Sequence, residues 1–399
     1  MNKKNIKKSE MFTVKEVVAL LIITCVANVA IFFLMNLDKT KITYDDTINK
    51  IVKEYEYIKD NYYEDIDEDK LINGAIKGMT DALGDDYSSF IEESDSDTYD
   101  ITLNGEYIGV GIQITQYTDT NEIIISEVFE NSPAFDSGLK VGDIIKSING
   151  ISTENMSVAD LGDYIKDGDI VDFDIAINRN GEEQNIKTRR GAITINSVHS
   201  ELIEKDEKKI GYLLIDTFAL NTDEQFKTKL KELEDANMDS LIIDVRSNTG
   251  GHLSTVTNII SEFLDKSKTI YQTDTKGKIE KIKSKGDKTK NYKIVLLGDG
   301  ASASASEVLI AALKESYGAT FVGTTTFGKG TVQEMHSIEA TGENYKITTK
   351  KWLTPNGNWI NKVGINPDHE VFLDGSYFEN PTKENDSQIQ KALDLLKWE

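Results

Sequence analysis

Cysteine is almost missing from this chain of 399 residues, with Cys25 the single one. That excludes an internal disulfide framework and any cysteine-cluster metal site. Histidine is nearly as scarce: His199, His252, His336 and His369 are scattered and lack ligand spacing. A histidine serving a distant serine stays open, but nothing in the spacing supports one. No H-E-x-x-H, no G-x-S-x-G elbow and no phosphate-binding loop occurs. Positive charge is also short, since 45 Lys and Arg face 68 Asp and Glu for a net charge of -23. Phosphate backbones reward basic patches, so this balance argues against nucleic acid as a partner. Apolar residues are not lacking. At 39% they suffice for a core, and the length suggests two or three domains at roughly 150 residues each.

The amino-terminal stretch before residue 17 carries five lysines, Lys3, Lys4, Lys7, Lys8 and Lys15, against Glu10 and Glu16. Val17 to Met35 then runs without a charge. As a helix it spans roughly 28 Å, close to the thickness of a bilayer's hydrocarbon core. Lysines before it and acidic residues after it place the amino terminus in the cytoplasm. Residues 1–37 hold five Lys and two Glu, a balance of +3, which leaves -26 to the remainder. A cleaved signal peptide has a shorter apolar core and a small-residue cleavage site, which Phe33-Leu34-Met35-Asn36-Leu37-Asp38 lacks. Lipidation at Cys25 fits Ile22-Ile23-Thr24 poorly. The expectation is therefore a basic cytoplasmic tail at 1–16, a retained transmembrane anchor at 17–37 and an extracytoplasmic remainder.

Three kinds of hydrophobic period follow. Within 38–95, Ile48, Ile51, Val52, Tyr55 and Ile58, then Leu71, Ile72, Ala75, Ile76, Met79 and Leu83, recur at helical spacing. This predicts a small helical module for packing or dimerisation. Within 96–192, Ile108, Val110, Ile112 and Ile114 alternate as one strand, and Ile123–Val128, Ile144–Ile148 and Val171–Ile177 read as further strands. Within 193–399, strands and helices interleave. Ser240–Val245 and Lys293–Leu297 are nearly continuous apolar strands, the mark of a sheet covered on both faces. The fold class is thus multidomain α/β and β. Lys266–Lys290 reads as a mobile hairpin or solvated edge, and Tyr345–Leu353 as part of an accessory β ribbon.

Three segments carry chemistry. Gly300-Ala301-Ser302-Ala303-Ser304-Ala305-Ser306-Glu307 lies between a buried strand and a helix. Small residues allow close approach there, and the helix amino end supplies unpaired N–H groups, fit for a serine nucleophile and an oxyanion. A serine in that place is equally a helix cap. Thr326-Phe327-Gly328-Lys329-Gly330-Thr331-Val332-Gln333 sets a lysine between glycines. Lysine is charged below its ordinary pKa of about 10.4, and burial lowers that by up to about 3–5 pH units, enough to make it a base. An isolated Gly-Lys-Gly is otherwise a surface turn. Asp244-Val245-Arg246-Ser247-Asn248-Thr249-Gly250-Gly251 ends a buried strand in two glycines, whose N–H groups can face an oxyanion or merely form a tight turn.

Together these motifs resemble the carboxyl-terminal processing peptidases, over roughly residues 45–396. Gly74–Met79 and Asp86-Tyr87-Ser88-Ser89-Phe90 are similar to that family's amino-terminal segment, 104–190 to its PDZ domain, and Thr354-Pro355-Asn356-Gly357 and Gly364-Ile365-Asn366-Pro367-Asp368 to its later motifs. The resemblance implies an α/β serine-peptidase core after a PDZ domain. It implies Ser304 as nucleophile, Lys329 as base, Gln333 as the base's support, and backbone N–H groups of Ala305 and Gly250 as oxyanion hole. Ser302 and Ser306 fall to capping or packing. The chain departs from the family at Thr249, where relatives usually carry proline. No metal or organic cofactor is implied.

The resemblance also makes Tyr107-Ile108-Gly109-Val110-Gly111 a peptide-binding segment, with Ile108 and Val110 lining an apolar pocket; a plain glycine-punctuated edge strand is the competing reading. The implied enzyme recognises exposed carboxyl termini of exported or membrane-associated proteins and hydrolyses their peptide bonds. It sits on the lipid bilayer of a bacterial cell as a single-pass protein, and family analogy adds a homodimer. The alternative is a non-catalytic, membrane-tethered PDZ scaffold.

Overall fold

The computed structural model describes residues 46–91, 104–338 and 344–397, with isolated positions 15, 18 and 24 before them. The expected anchor, Val17–Met35, otherwise lies outside these residues. Among the described residues no helix is long and apolar enough to cross a membrane. Contacts divide the chain into residues 1–74 and 75–399. The two helical stretches appear as α1 (Asp46–Asn61) and α2 (Glu68–Asp81). Helix α1 buries no residue, and Ile48, Ile51 and Ile58 of its apolar stripe are exposed. Its last turns are tied to Glu68, which accepts from Tyr55 Oη at 2.6 Å and pairs with Lys59 at 2.6 Å.

Next come β1 (Ser89–Ile91), β2 (Glu106–Gly109), β3 (Ile112–Gln116), β4 (Ile123–Val128), α3 (Pro133–Ser137), β5 (Ile144–Ile148) and β6 (Ile151–Ser152). They are followed by α4 (Val158–Lys166), β7 (Asp172–Arg179), β8 (Glu182–Arg189) and β9 (Gly191–Thr194). The alternation from Ile108 to Ile114 proves to be two strands in different sheets. β2 pairs with β9, whereas β3 edges the antiparallel sheet β3-β4-β5-β7-β8. Gly111 turns the corner at φ 91°, where a Cβ would come within 2.2 Å of Ser132 Cβ. Equal hydrophobic spacing hides such a break. Alternate residues of β7, Phe173, Ile175 and Ile177, form this domain's core with Leu161 and Ile165 of α4. Helix α4 opens on a reciprocal cap between Ser157 and Asp160. Buried Asp143 receives Arg179 in two charge-assisted bonds of 2.6 and 2.7 Å.

The remaining elements are β10 (Val198–Lys205), β11 (Lys208–Ile215), α5 (Thr222–Asp235), β12 (Ser240–Asp244), α6 (Leu253–Ser261), β13 (Thr269–Thr275), β14 (Lys278–Lys283), β15 (Lys293–Gly298) and α7 (Ala305–Ala312). After α7 the chain continues as one π turn, Leu313–Tyr317. Then follow β16 (Thr320–Gly323), β17 (Thr331–Ser337), β18 (Asn344–Leu353), β19 (His369–Glu370), α8 (Gly375–Glu379) and α9 (Ser387–Leu396). The main sheet runs β10-β11-β12-β15-β16-β19, antiparallel only at its first pair. Every residue of β12 is buried because the sheet is covered on both faces. Leu241 and Ile243 face α5, α6 and α7, while Ile242 joins Val295, Leu297 and Val322 under Ile389, Leu393 and Leu396 of α9.

The Lys-rich segment is a true hairpin, but only half of it is solvated. β14 is exposed, whereas Ile270 and Tyr271 of β13 enter the core and β13 pairs with β18. β17 and β18 make the expected ribbon, and β1 adds to its other side.

A buried charge network fastens α9 beneath β12. Arg246 spans Asp244 (Nη2–Oδ2, 2.5 Å) and Asp386 (Nη1–Oδ2, 2.7 Å), and Tyr212 Oη donates to Asp244 at 2.7 Å. Both carboxylates are about 1% exposed. Burial opposes the guanidinium's charge, but the two aspartates outweigh it and raise its pKa. We expect Arg246→Ala to cost about 3–5 kcal/mol, because two buried carboxylates lose their countercharge. Denaturant unfolding of the whole chain checks this value.

Candidate active site

Three adjacent parallel strands, β12, β15 and β16, end at one edge of the main sheet. Ligand crevices in open α/β sheets lie beyond such carboxyl ends. The loops leaving these strands, 245–252, 299–304 and 324–330, contain the Gly-Gly turn, the serine run and the Gly-Lys-Gly motif. Sheet topology thus gathers segments that lie up to 85 positions apart in sequence.

Three serines compete in the second loop, and their partners separate them. Ser302 is fully buried and donates to Val245 O at 2.8 Å. Ser306 is also fully buried and donates to Asn248 O at 2.8 Å. Both hold the loop together. Ser304 is half-buried at the amino end of α7, with φ 56° and ψ -114°. An L-residue rarely adopts such a backbone, at a cost of about 1–3 kcal/mol. Ala305, the first residue of α7, has an N–H without an intrahelical acceptor.

The group that fixes this geometry is Glu307, which is completely buried. Its Oε2 accepts from the backbone N–H of Ser304 at 2.8 Å and of Lys329 at 2.9 Å. Its Oε1 accepts from Gly328 N at 2.7 Å and Thr326 Oγ1 at 2.6 Å. One carboxylate therefore ties the serine loop to the lysine loop. The sequence reading passed over Glu307, although Ser followed three residues later by Glu is a capping-box spacing that points to it.

Two indoles anchor the other side of the Gly-Lys-Gly turn. Trp352 Nε1 donates to Lys329 O at 2.7 Å, and Trp359 Nε1 donates to Gly330 O at 2.8 Å. Gly328, at φ 89°, lies so close to Val363 N that a Cβ would sit 2.9 Å away. Burial, then repulsion from Lys346, lowers the pKa of the Lys329 amine below that of an ordinary lysine, against attraction from Asp85 and Glu307.

Gly250 packs directly on the serine. A Cβ there would stand 2.9 Å from Ser304 Cβ and 3.1 Å from Ala305 N. Its N–H, however, is donated to Asn248 Oδ1 at 2.8 Å. Asn248 is another residue the sequence reading missed. Fully buried, it also donates to Ile215 O at 2.8 Å and accepts from Ala303 N at 3.0 Å. Thr249 is exposed, so Asn248 and the glycines, rather than a rigid proline, hold this turn.

The expected serine, lysine and glutamine do not bond to one another through their side chains. Among the described residues no hydrogen bond joins Ser304 Oγ to Lys329 Nζ; the amine faces the Tyr87 ring, 4.9 Å from its centroid. Gln333 Nε2 donates to Thr331 Oγ1 at 2.9 Å and Thr348 Oγ1 at 3.0 Å instead of to the lysine's neighbourhood. In the small β domain, Ile108 is exposed and Tyr107 stacks edge-on with Phe129. Burial pushes the Tyr107 hydroxyl up to about 12. Gly109 lies under the Tyr107 ring, and Gly111 forms the corner already described. Val110 is 2% exposed and belongs to the core, so it does not line an open pocket as expected.

Glu307→Gln keeps the shape of the hub but sets an amide NH2 against backbone N–H donors. We expect a stability loss of about 2–4 kcal/mol, from two charge-assisted bonds worth about 1.5–3 kcal/mol each less partial relaxation. Any catalytic rate should fall by at least about tenfold, since 1.4 kcal/mol of misplacement suffices for that. Unfolding midpoints and turnover measured on the same preparation test both.

Residues 209–371 match the model of peptidase family S41, residues 100–175 that of the PDZ domain, and residues 33–95 that of the activating protease CtpB N-terminal domain. The chain is 37% identical over 329 residues to the carboxy-terminal processing protease CtpB of Bacillus subtilis (strain 168), covering 81% of this chain and 67% of that one. It is 32% identical over 373 residues to CtpA of the same organism, covering 90% and 79%. A probable CtpA-like serine protease of Staphylococcus aureus (strain COL) is 30% identical over 356 residues, covering 87% and 70%. With likeness at this level spread over most of both chains, the protein belongs to the carboxy-terminal processing proteases of peptidase family S41 and is a serine-type protease that carries a PDZ domain.

Proposed function

We propose that the protein hydrolyses peptide bonds with Ser304 as nucleophile and Lys329 as general base, on exported or membrane-associated substrates with exposed carboxyl termini. The observation that carries this reading is the Glu307 hub, which couples the backbone amides of these two residues through one buried oxygen. Neutral Lys329 Nζ takes the Ser304 proton as Oγ attacks the scissile carbonyl. The Ala305 N–H stabilises the resulting oxyanion at the amino end of α7, joined by Gly250 N–H once Asn248 Oδ1 releases it. The Lys329 ammonium then protonates the leaving amine. Water, deprotonated by the same lysine, frees the acyl group from Ser304. Gln333 turns from Thr348 to steady the amine. Ligand-free catalytic contacts are often loose and tighten on substrate binding, and the separation of Ser304 and Lys329 fits that behaviour.

Around this centre, Tyr107–Gly111 with exposed Ile108 contributes to peptide capture by the PDZ domain. The apolar run Val17–Met35 between lysines and acidic residues supports a single-pass bacterial membrane protein with its catalytic part outside. The exposed isoleucines of α1 favour a homodimer.

Cleavage of a fluorogenic, unstructured peptide with an apolar carboxyl terminus tests the chemistry. Ser304→Ala and Lys329→Ala should each lower kcat by at least about a thousandfold, as loss of a nucleophile or its base does. Full activity in Ser304→Ala sinks the assignment, and binding without Ser304-dependent turnover points to a scaffold. The base works only when neutral, so kcat/KM should rise with pH through the Lys329 pKa. That limb should lie below the ordinary lysine pKa, because burial disfavours the ammonium.

A further inference from the structure

The turn preceding β1 reaches both side chains that the proposed chemistry must move, Lys329 through Tyr87 and Gln333 by way of Thr348. Asp85 Oδ2 accepts from Ser88 Oγ at 2.5 Å and from Thr348 Oγ1 at 2.6 Å. Thr348 N in turn donates to Ser88 Oγ at 3.0 Å, and β1 continues the attachment as a strand beside β18. Burial works against ionisation of Asp85, but the bonds from Ser88 and Thr348 outweigh it and keep its pKa low. The turn is thus pinned to the ribbon at two points. Thr348 Oγ1 is also the acceptor that holds Gln333 Nε2. From the same turn the Tyr87 ring presents its face to Lys329 Nζ, with 4.9 Å between amine and centroid.

This placement has an electrostatic sense. Lys329 makes no ion pair among the described residues. Lys346, from β18, repels its charge, while Asp85 and Glu307 attract it. Asp86 adds negative charge beside the ring. An aromatic face favours an ammonium over a neutral amine. It therefore works against the deprotonation that burial and Lys346 favour, and it keeps the amine at a position not bonded to Ser304.

We propose that the Asp85–Ser88 turn restrains the base, with Tyr87 as its positioning residue: the ring face parks the Lys329 ammonium, and Thr348 parks Gln333, until bound substrate displaces both. The restraint rests on the Ser304–Lys329 reading. It assigns the amino-terminal Asp-Tyr-Ser motif to control of the catalytic ribbon, beyond any structural role in the chain's course.

The test is the pH profile of kcat/KM on the fluorogenic peptide. Tyr87→Leu should raise kcat/KM at neutral pH by roughly three- to tenfold and move the acid limb down by about 0.5–1 pH unit, the scale of one lost cation–π contact. Tyr87→Phe, which keeps the face and drops only the hydroxyl, should restore the wild-type limb. Phenylalanines bearing successively more fluorines at position 87 keep the ring's shape and weaken its negative face, so the limb should descend stepwise with fluorination. A flat series overturns the proposal even if Tyr87→Leu fails to fold. So does a folded Tyr87→Leu protein with a wild-type limb or with lost activity, or a Tyr87→Phe protein that behaves like Tyr87→Leu. Lys329→Ala run in parallel separates the two readings. An active Lys329→Ala enzyme overturns the dyad, whereas an inactive one beside an unmoved limb overturns only the restraint.

Discussion

A fully buried glutamate that accepts four hydrogen bonds is the constraint on which the site depends. Glu307 stands one turn into α7, yet its partners lie in the serine loop and the lysine loop. Holding Ser304 in a left-handed backbone costs about 1–3 kcal/mol. Bonds from backbone N–H groups to a carboxylate contribute about 1.5–3 kcal/mol each, so two or more of them outweigh that strain. The strained serine persists because the hub over-determines it. The same bonds dictate a Gly-Lys-Gly turn, since Gly328 must pass against Val363 without a side chain.

Other hydrogen bonds of the peptidase domain brace the loops around that hub. Arg246 couples the end of β12 to the cap of α9, and Asn248 carries the order into the Gly-Gly turn against Ser304. Trp352 and Trp359 close the lysine loop from the ribbon side. Backbone positions are therefore fixed from every side. The Lys329 and Gln333 side chains meet partners supplied by, or bonded to, the turn before β1.

Much of the fold was legible because both faces of the main sheet are covered. Ser240–Val245 and Lys293–Leu297 read as nearly continuous apolar strands, and the structure keeps them as β12 and β15. The reading failed where spacing is silent. Ile108 to Ile114 kept an alternating period through a corner that only Gly111's positive φ reveals. The lysines of 266–290 concealed a buried strand, since β13 is covered on both faces at Ile270–Thr273 while β14 takes the charge. Val110 looked like a pocket residue and is core, because the corner rotates it inward. Glu307 was visible in the motif, but a glutamate at the third helical position is ordinarily a cap. Its second allegiance to Lys329, 22 positions on, required the tertiary fold.

Sequence alone determined the order of the domains, the scarcity of cysteine and histidine, and the serine, lysine and glycine segments from which the protease is built. These are local properties of composition, period and short motifs, and the chain carries them before it folds. Tertiary structure decided which of three serines stands half-open, which ring the Lys329 amine faces, and that Gly250 spends its N–H on Asn248. Those outcomes depend on distances between residues remote along the chain. They are set by the parallel strands that end side by side and by the single buried carboxylate between their loops.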